Sequence, residues 1–100
     1  MPFQVRFRSA RLERLETDAG FDGGFSREIV KAYRRRMLHI RASPDERVFY
    51  ALKSLHFEKL KGAREHQYSM RLNDQWRLIL EFEGEAPNKT IWIVAIEDYH

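Results

Sequence analysis

The sequence predicts an α+β domain in which an antiparallel sheet is covered on one face by a helical hairpin. Three observations carry this. Apolar residues recur at helical spacing from Ser26 to Leu55, and the period changes to two from Phe57 onward. The length of 100 residues fits one domain spanning 1–100 and leaves no room for a second core. Helices followed by a meander of strands is the order expected of α+β architecture. A hydrophobic fraction of 43% supplies a packed core and is too high for a disordered chain.

Phe3, Val5 and Phe7 alternate with Gln4, Arg6 and Arg8, which predicts a short strand with one buried face. Ser9 is placed to cap a helix over 10–18 with Leu12 and Leu15 turned inward. Gly20, Gly23 and Gly24 follow as a loop. Ser26 opens a second helix of about 16 residues, with Ile29, Tyr33, Met37 and Ile40 as its apolar stripe and Arg34-Arg35-Arg36 mostly on the wet side. Ser43-Pro44-Asp45-Glu46 has the form of a capping box. It predicts a third helix to Leu55, with Val48, Phe49 and Leu52 inward, packed antiparallel to the second.

Leu60-Lys61-Gly62 reads as a short strand ending at a glycine turn. Tyr68, Met70 and Leu72 share one strand face, Asn73-Asp74 make a tight turn, and Trp76, Leu78, Leu80 and Phe82 line the next strand. Gly84 to Asn88 is a polar loop. The apolar run Ile91-Trp92-Ile93-Val94-Ala95-Ile96 predicts a last strand buried on both faces.

Several classes are excluded. The chain has no cysteine, hence no disulfide, thiolate nucleophile or cysteine zinc site. His39, His56, His66 and His100 are too scattered for a histidine metal site, and His39 and His66 read as surface residues. No phosphate-binding glycine loop, dinucleotide fingerprint, HExxH or GxSxG motif occurs. No apolar run approaches membrane-spanning length, and Met1 to Arg6 lack the layout of a signal peptide, so a soluble cytoplasmic protein is expected.

Charge is informative by location. Residues 27–77 carry 13 basic against 6 acidic side chains, and arginine outnumbers lysine 13 to 5 over the whole chain, a bias suited to a phosphate-rich partner. Lys61, Arg64, Arg71 and Arg77 come from consecutive strands and turns of the predicted meander. The last strand runs directly into Asp98, Tyr99 and His100, which places an acid, a phenol and an imidazole at one sheet edge. A basic surface beside a proton-transfer group fits RNA cleavage by the 2′-hydroxyl, with a base, an acid and a cation to steady the phosphorane. No metal and no other cofactor is called for.

The stretch from Leu60-Lys61-Gly62-Ala63-Arg64 through Tyr68-Ser69-Met70-Arg71-Leu72-Asn73-Asp74-Gln75-Trp76-Arg77 resembles the core motif of HigB-type toxins. These are the plasmid-maintenance killer proteins of the RelE/ParE superfamily. Asp98-Tyr99-His100 is similar to the closing motif of the same toxins, and the resemblance covers residues 20–100 and, more faintly, the first strand.

The resemblance implies a RelE/ParE-like α+β fold and a ribosome-dependent endoribonuclease that cuts translated mRNA in the decoding site. It implies a cognate helix-turn-helix antitoxin of the HigA type as partner, with DNA met only through that antitoxin and no membrane. By position it makes Asp98, Tyr99, His100 and Arg77 the catalytic set. His100 moves the proton, Tyr99 stacks on or hydrogen-bonds the substrate, Asp98 orients the histidine, and Arg77 steadies the phosphate. Lys61, Arg64, Arg71 and Gln75 would hold RNA. One departure stands out: some relatives carry a histidine where this chain has Glu58, and His56 falls in another register. With His100 as the last residue its own α-carboxylate is expected beside the ring, so a C-terminal tag is expected to harm activity more than stability. Two rival readings remain: a ParE-like gyrase inhibitor, which needs no proton-transfer cluster, and a non-catalytic module that binds antitoxin or ribosome.

Overall fold

In the computed structural model, residues 3–85 and 88–99 are described. Strand β1 (Gln4–Phe7) leads to helix α1 (Ala10–Thr17), helix α2 (Arg27–Ala42) and the short helix α3 (Arg47–Ala51). Strands β2 (Glu58–Lys59), β3 (Gln67–Arg71), β4 (Trp76–Glu83) and β5 (Thr90–Asp98) complete the chain, with 3₁₀ turns at Lys53–Leu55 and Gly62–Arg64. The strands form one sheet in the order β1-β5-β4-β3-β2. The meander β2 to β5 is antiparallel, as expected, while β1 joins the far edge parallel to β5. None of the described helices is long and apolar enough to cross a membrane.

The first two helices begin where the sequence predicts. The hydroxyls of Ser9 and Ser26 accept hydrogen bonds from the Leu12 and Ile29 amides, satisfying first-turn donors that a helix leaves open. Leu12, Leu15, Ile29, Tyr33, Met37 and Ile40 are buried against Met70, Leu78, Leu80, Ile91 and Ile93 of the sheet.

The helical pair is α1 with α2, not α2 with α3. The Tyr33 hydroxyl donates to the Leu12 carbonyl at 2.7 Å, and Arg41 forks onto Glu16. Two members of the arginine run are not solvated charges. Arg34 donates to the carbonyls of Leu15, Asp18 and Phe21, stitching the end of α1 and its loop to α2. Arg36 donates to the Arg71 carbonyl and so ties α2 to β3.

The third helix is much shorter than predicted. Ser43 closes α2 by donating to the His39 carbonyl instead of opening α3. The N-cap position falls to Glu46, which makes no side-chain cap bond, while Asp45 before it accepts from the backbone and side chain of Arg47, whose guanidinium holds that carboxyl down to about 2. Phe49, Leu55 and Phe57 are all buried, but their spacing fits no single helical face, so the chain breaks at Leu52, which stays exposed. Phe57 stacks parallel on Tyr68 with centroids 5.3 Å apart. His56 takes a positive φ of 47° to turn the chain into β2.

The last strand is covered on one face only. Ile91 and Ile93 are fully buried, but Trp92 lies half-buried on the open face beneath the Arg8 guanidinium, 3.9 Å from its ring. His39 also departs from expectation: it is half-buried, with Nδ1 enclosed and unpartnered among the described residues. Burial, reinforced by Arg36 and Arg35, lowers its pKa.

Candidate active site

The open face of the sheet is where the sequence-predicted residues gather, and a bulge in β5 sets which of them do so. Ile79 pairs with Ala95, but Leu80 pairs with Ile93, so Val94 is the extra residue. Ahead of the bulge Ile91 and Ile93 point into the core; beyond it Ile96 does. The parity therefore switches, and Glu97 and Tyr99 share the open face with their partners Arg77 and Gln75.

The β3–β4 turn fixes Arg77. The Asn73 side-chain oxygen accepts from the amides of Gln75 and Trp76 at 2.9 and 2.8 Å. Its carbonyl then faces Arg77, which donates from Nη1 to Asn73 O at 2.7 Å and Trp76 O at 3.3 Å. The guanidinium lies 4.2 Å from the ring centroid of Tyr99. Its position is thus set from two sides, and among the described residues Nε and Nη2 are still available as donors.

Tyr99 crosses the sheet. Its amide continues the β4–β5 ladder to Gln75 O at 2.7 Å, and its hydroxyl reaches over β4 and β3 to donate to Glu58 Oε1 of β2 at 3.0 Å. The hydrogen bond to Glu58 raises the phenol pKa, and so does the carboxylate's charge. Tyr99 remains 51% exposed, so the ring is open to a ligand.

Under this bridge lies a cavity of about 250 Å³ lined by Leu60, Arg64, Ser69, Arg77, Ile79, Glu97, Asp98 and Tyr99. Arg64 enters it from the loop after β2, held by Glu97 at 2.8 Å and Gln67 at 2.9 Å. Asp98 accepts from the Gln75 side chain at 2.9 Å.

Of the residues singled out by sequence, Arg64, Arg77, Asp98 and Tyr99 thus meet around one cavity, and Gln75 supports it from the rim. Lys61 is exposed on the adjoining loop, outside the lining. Arg71 pairs with Asp74 and lies across from Arg77 in the ladder, on the same face but outside the cavity lining. His100 lies outside the described residues. His56 is exposed, and His66 is an exposed neighbour of Glu81. Sequence reading gave no role to Glu97 or Ser69, and met Glu58 only as a departure from a motif. Strand parity across β2 to β5 could have pointed to Glu58 and Ser69, which are direct ladder partners.

Comparisons with known proteins agree with this architecture. A family model described as HigB-like toxin, the RelE-like toxin of type II toxin–antitoxin system HigB, matches residues 5–100. A solved structure described as a YoeB/ParE toxin from Agrobacterium tumefaciens superposes with a TM-score of 0.63 at 11% identity. The superposition covers 98% of this chain and 100% of that one, and at such identity it speaks for the fold alone. No curated protein matches the sequence.

Proposed function

Because the chain belongs to the HigB-like toxin family, the RelE-like toxins of type II toxin–antitoxin systems, we propose that it is a ribosome-dependent endoribonuclease acting on messenger RNA in the cytoplasm. A type II toxin implies an antitoxin partner; a helix-turn-helix antitoxin of the HigA type is the proposed one.

The observation that carries this reading is the Arg77–Tyr99–Glu58 arrangement at the cavity edge. In the proposed reaction the 2′-oxygen of one nucleotide attacks its own 3′ phosphorus as its proton passes to a base. The bond to the 5′-oxygen breaks, and that oxygen takes a proton. The products are a 2′,3′-cyclic phosphate and a 5′-hydroxyl end. Arg77 offers its remaining donors to the phosphorane, whose charge develops only in the transition state. Glu58 and His100 are the proposed proton-transfer pair, with the Tyr99 hydroxyl between substrate and Glu58. Asp98 and Gln75 brace the last strand, while Lys61 and Arg64 would hold the RNA strand. Docking in the ribosome supplies positioning, which is worth about 7–11 kcal/mol of barrier at its upper limit.

The test is a primer-extension map of mRNA after induction of the wild-type, Arg77→Ala and His100→Ala proteins. Discrete cuts within translated codons, lost in both variants, are expected. Growth arrest without cuts would overturn the reading, and DNA damage in its place would indicate gyrase. Incubation with free RNA, expected to leave it intact, tests the dependence on ribosomes.

A further inference from the structure

We propose that the cavity beneath Tyr99 is a nucleobase pocket, and that the Ser69 hydroxyl reads the edge of the base. This deepens the proposed RNA cleavage and rests on it.

Ser69 lies mid-strand in β3, between the core residues Tyr68 and Met70, with its side chain on the open face opposite Ile79. It is 0% exposed, and its Oγ has no hydrogen-bond partner among the described residues. Buried hydroxyls are nearly always satisfied, so one left unpaired at the wall of a cavity marks a place for a ligand group or an ordered water. The other side chains lining the cavity indicate which ligand. Leu60 and Ile79 give it apolar walls. Arg64 and Arg77 are matched by Glu97 and Asp98, so the formal charges around the cavity cancel. Glu97 already neutralises Arg64 at 2.8 Å.

Inside the cavity a phosphate would meet two carboxylates, whereas Arg77, which also contacts the Tyr99 ring, is left to hold the phosphate at the cavity edge. A flat, neutral group with polar edges meets apolar walls and an unpaired hydroxyl. The bases of single-stranded RNA have this chemistry, and proteins read them by stacking and by hydrogen bonds to their edges. Arg77 borders both the cavity and the Tyr99 ring, which puts the pocket one nucleotide or less from the phosphate that Arg77 would steady. The Glu97 carboxylate accepts only, and the unpaired Ser69 hydroxyl is left to donate to an acceptor on the same base edge. The pocket therefore favours a base edge that offers a donor to Glu97.

The test is cleavage of a translated mRNA library by wild-type and Ser69→Ala proteins on purified ribosomes, with every cut sequenced. Wild-type cuts are expected to favour particular bases at one position next to the scissile bond. Ser69→Ala is expected to cut about 10-fold more slowly at those sites and to lose base discrimination at that position alone. Its melting temperature should equal or exceed the wild-type value, since an unpaired buried hydroxyl has been removed. Ser69→Cys, close in size but a weak donor, should fall between the two and covers the case in which the alanine variant misfolds. Slower cutting with an unchanged base profile, or an unchanged rate, would overturn the base-reading role and leave cleavage standing. Wild-type protein that cuts nothing would overturn both.

Discussion

Arg77 holds its guanidinium 4.2 Å from the ring centroid of Tyr99 while donating to the Asn73 carbonyl at 2.7 Å. A lysine would lack the planar fork that lets Arg77 lie against the ring, bond the carbonyl and still offer parallel donors to a phosphate. Arg77→Lys is therefore expected to lower mRNA cleavage about 100-fold with little change in melting temperature. Retention of near-wild-type cleavage in a ribosome assay would mean that charge alone suffices.

Tyr99→Phe keeps the ring under Arg77 and removes the hydrogen bond to Glu58. If the hydroxyl relays or orients, this variant and Glu58→Gln should each lose activity, and the double variant should lose less than the product of the two. Multiplicative losses would show that the two groups act independently.

Tyr33 is fully buried, and its hydroxyl donates to the Leu12 carbonyl at 2.7 Å. Tyr33→Phe is expected to destabilise the protein by about 1 kcal/mol, read by chemical denaturation. Cleavage by the folded variant should be unaffected, because α2 packs on the face of the sheet away from the cavity.

Arg34 satisfies three carbonyls at the end of α1 and in its loop. Arg34→Met keeps much of the packing and removes all three bonds. A loss of about 1.5–3 kcal/mol is expected, with faster amide exchange in the segment from Leu15 to Phe21 as its local signature. A variant as stable as wild type would mean that water replaces the guanidinium without penalty.

His39 supplies a pH dependence. Burial, together with Arg36 and Arg35, lowers its pKa below the ordinary 6.5, so the folded state prefers the neutral ring. Its contribution is fully present above the unfolded pKa and is lost as pH falls through 6.5 toward the folded value. Melting temperatures between about pH 8 and about pH 5 should therefore decline less in His39→Gln than in wild type. Parallel curves would show that the ring is free to protonate in the fold.

Much of the fold was legible in the residues. Ser9 and Ser26 announced their helices because a cap is a local interaction, and the stripe from Ile29 to Ile40 announced its buried face because helical spacing is regular. The segment after Ser43 misled for a corresponding reason. Its capping-box pattern is a local preference, and the burial of Phe49, Leu55 and Phe57 outweighs it. The arginine run misled because sequence shows charge but not the carbonyls within reach of it.

By itself, the sequence determined the α+β class, the capped helices, the order of the meander and the cationic and C-terminal residue types from which a site would be drawn. Only the tertiary structure decided which of them meet. The extra residue Val94 switches strand parity between Ile93 and Ile96, and that switch turns Glu97 and Tyr99 toward Arg77, Ser69 and Glu58. Alternation along one strand cannot reveal a bulge, because the extra residue exists only relative to the strand paired beside it.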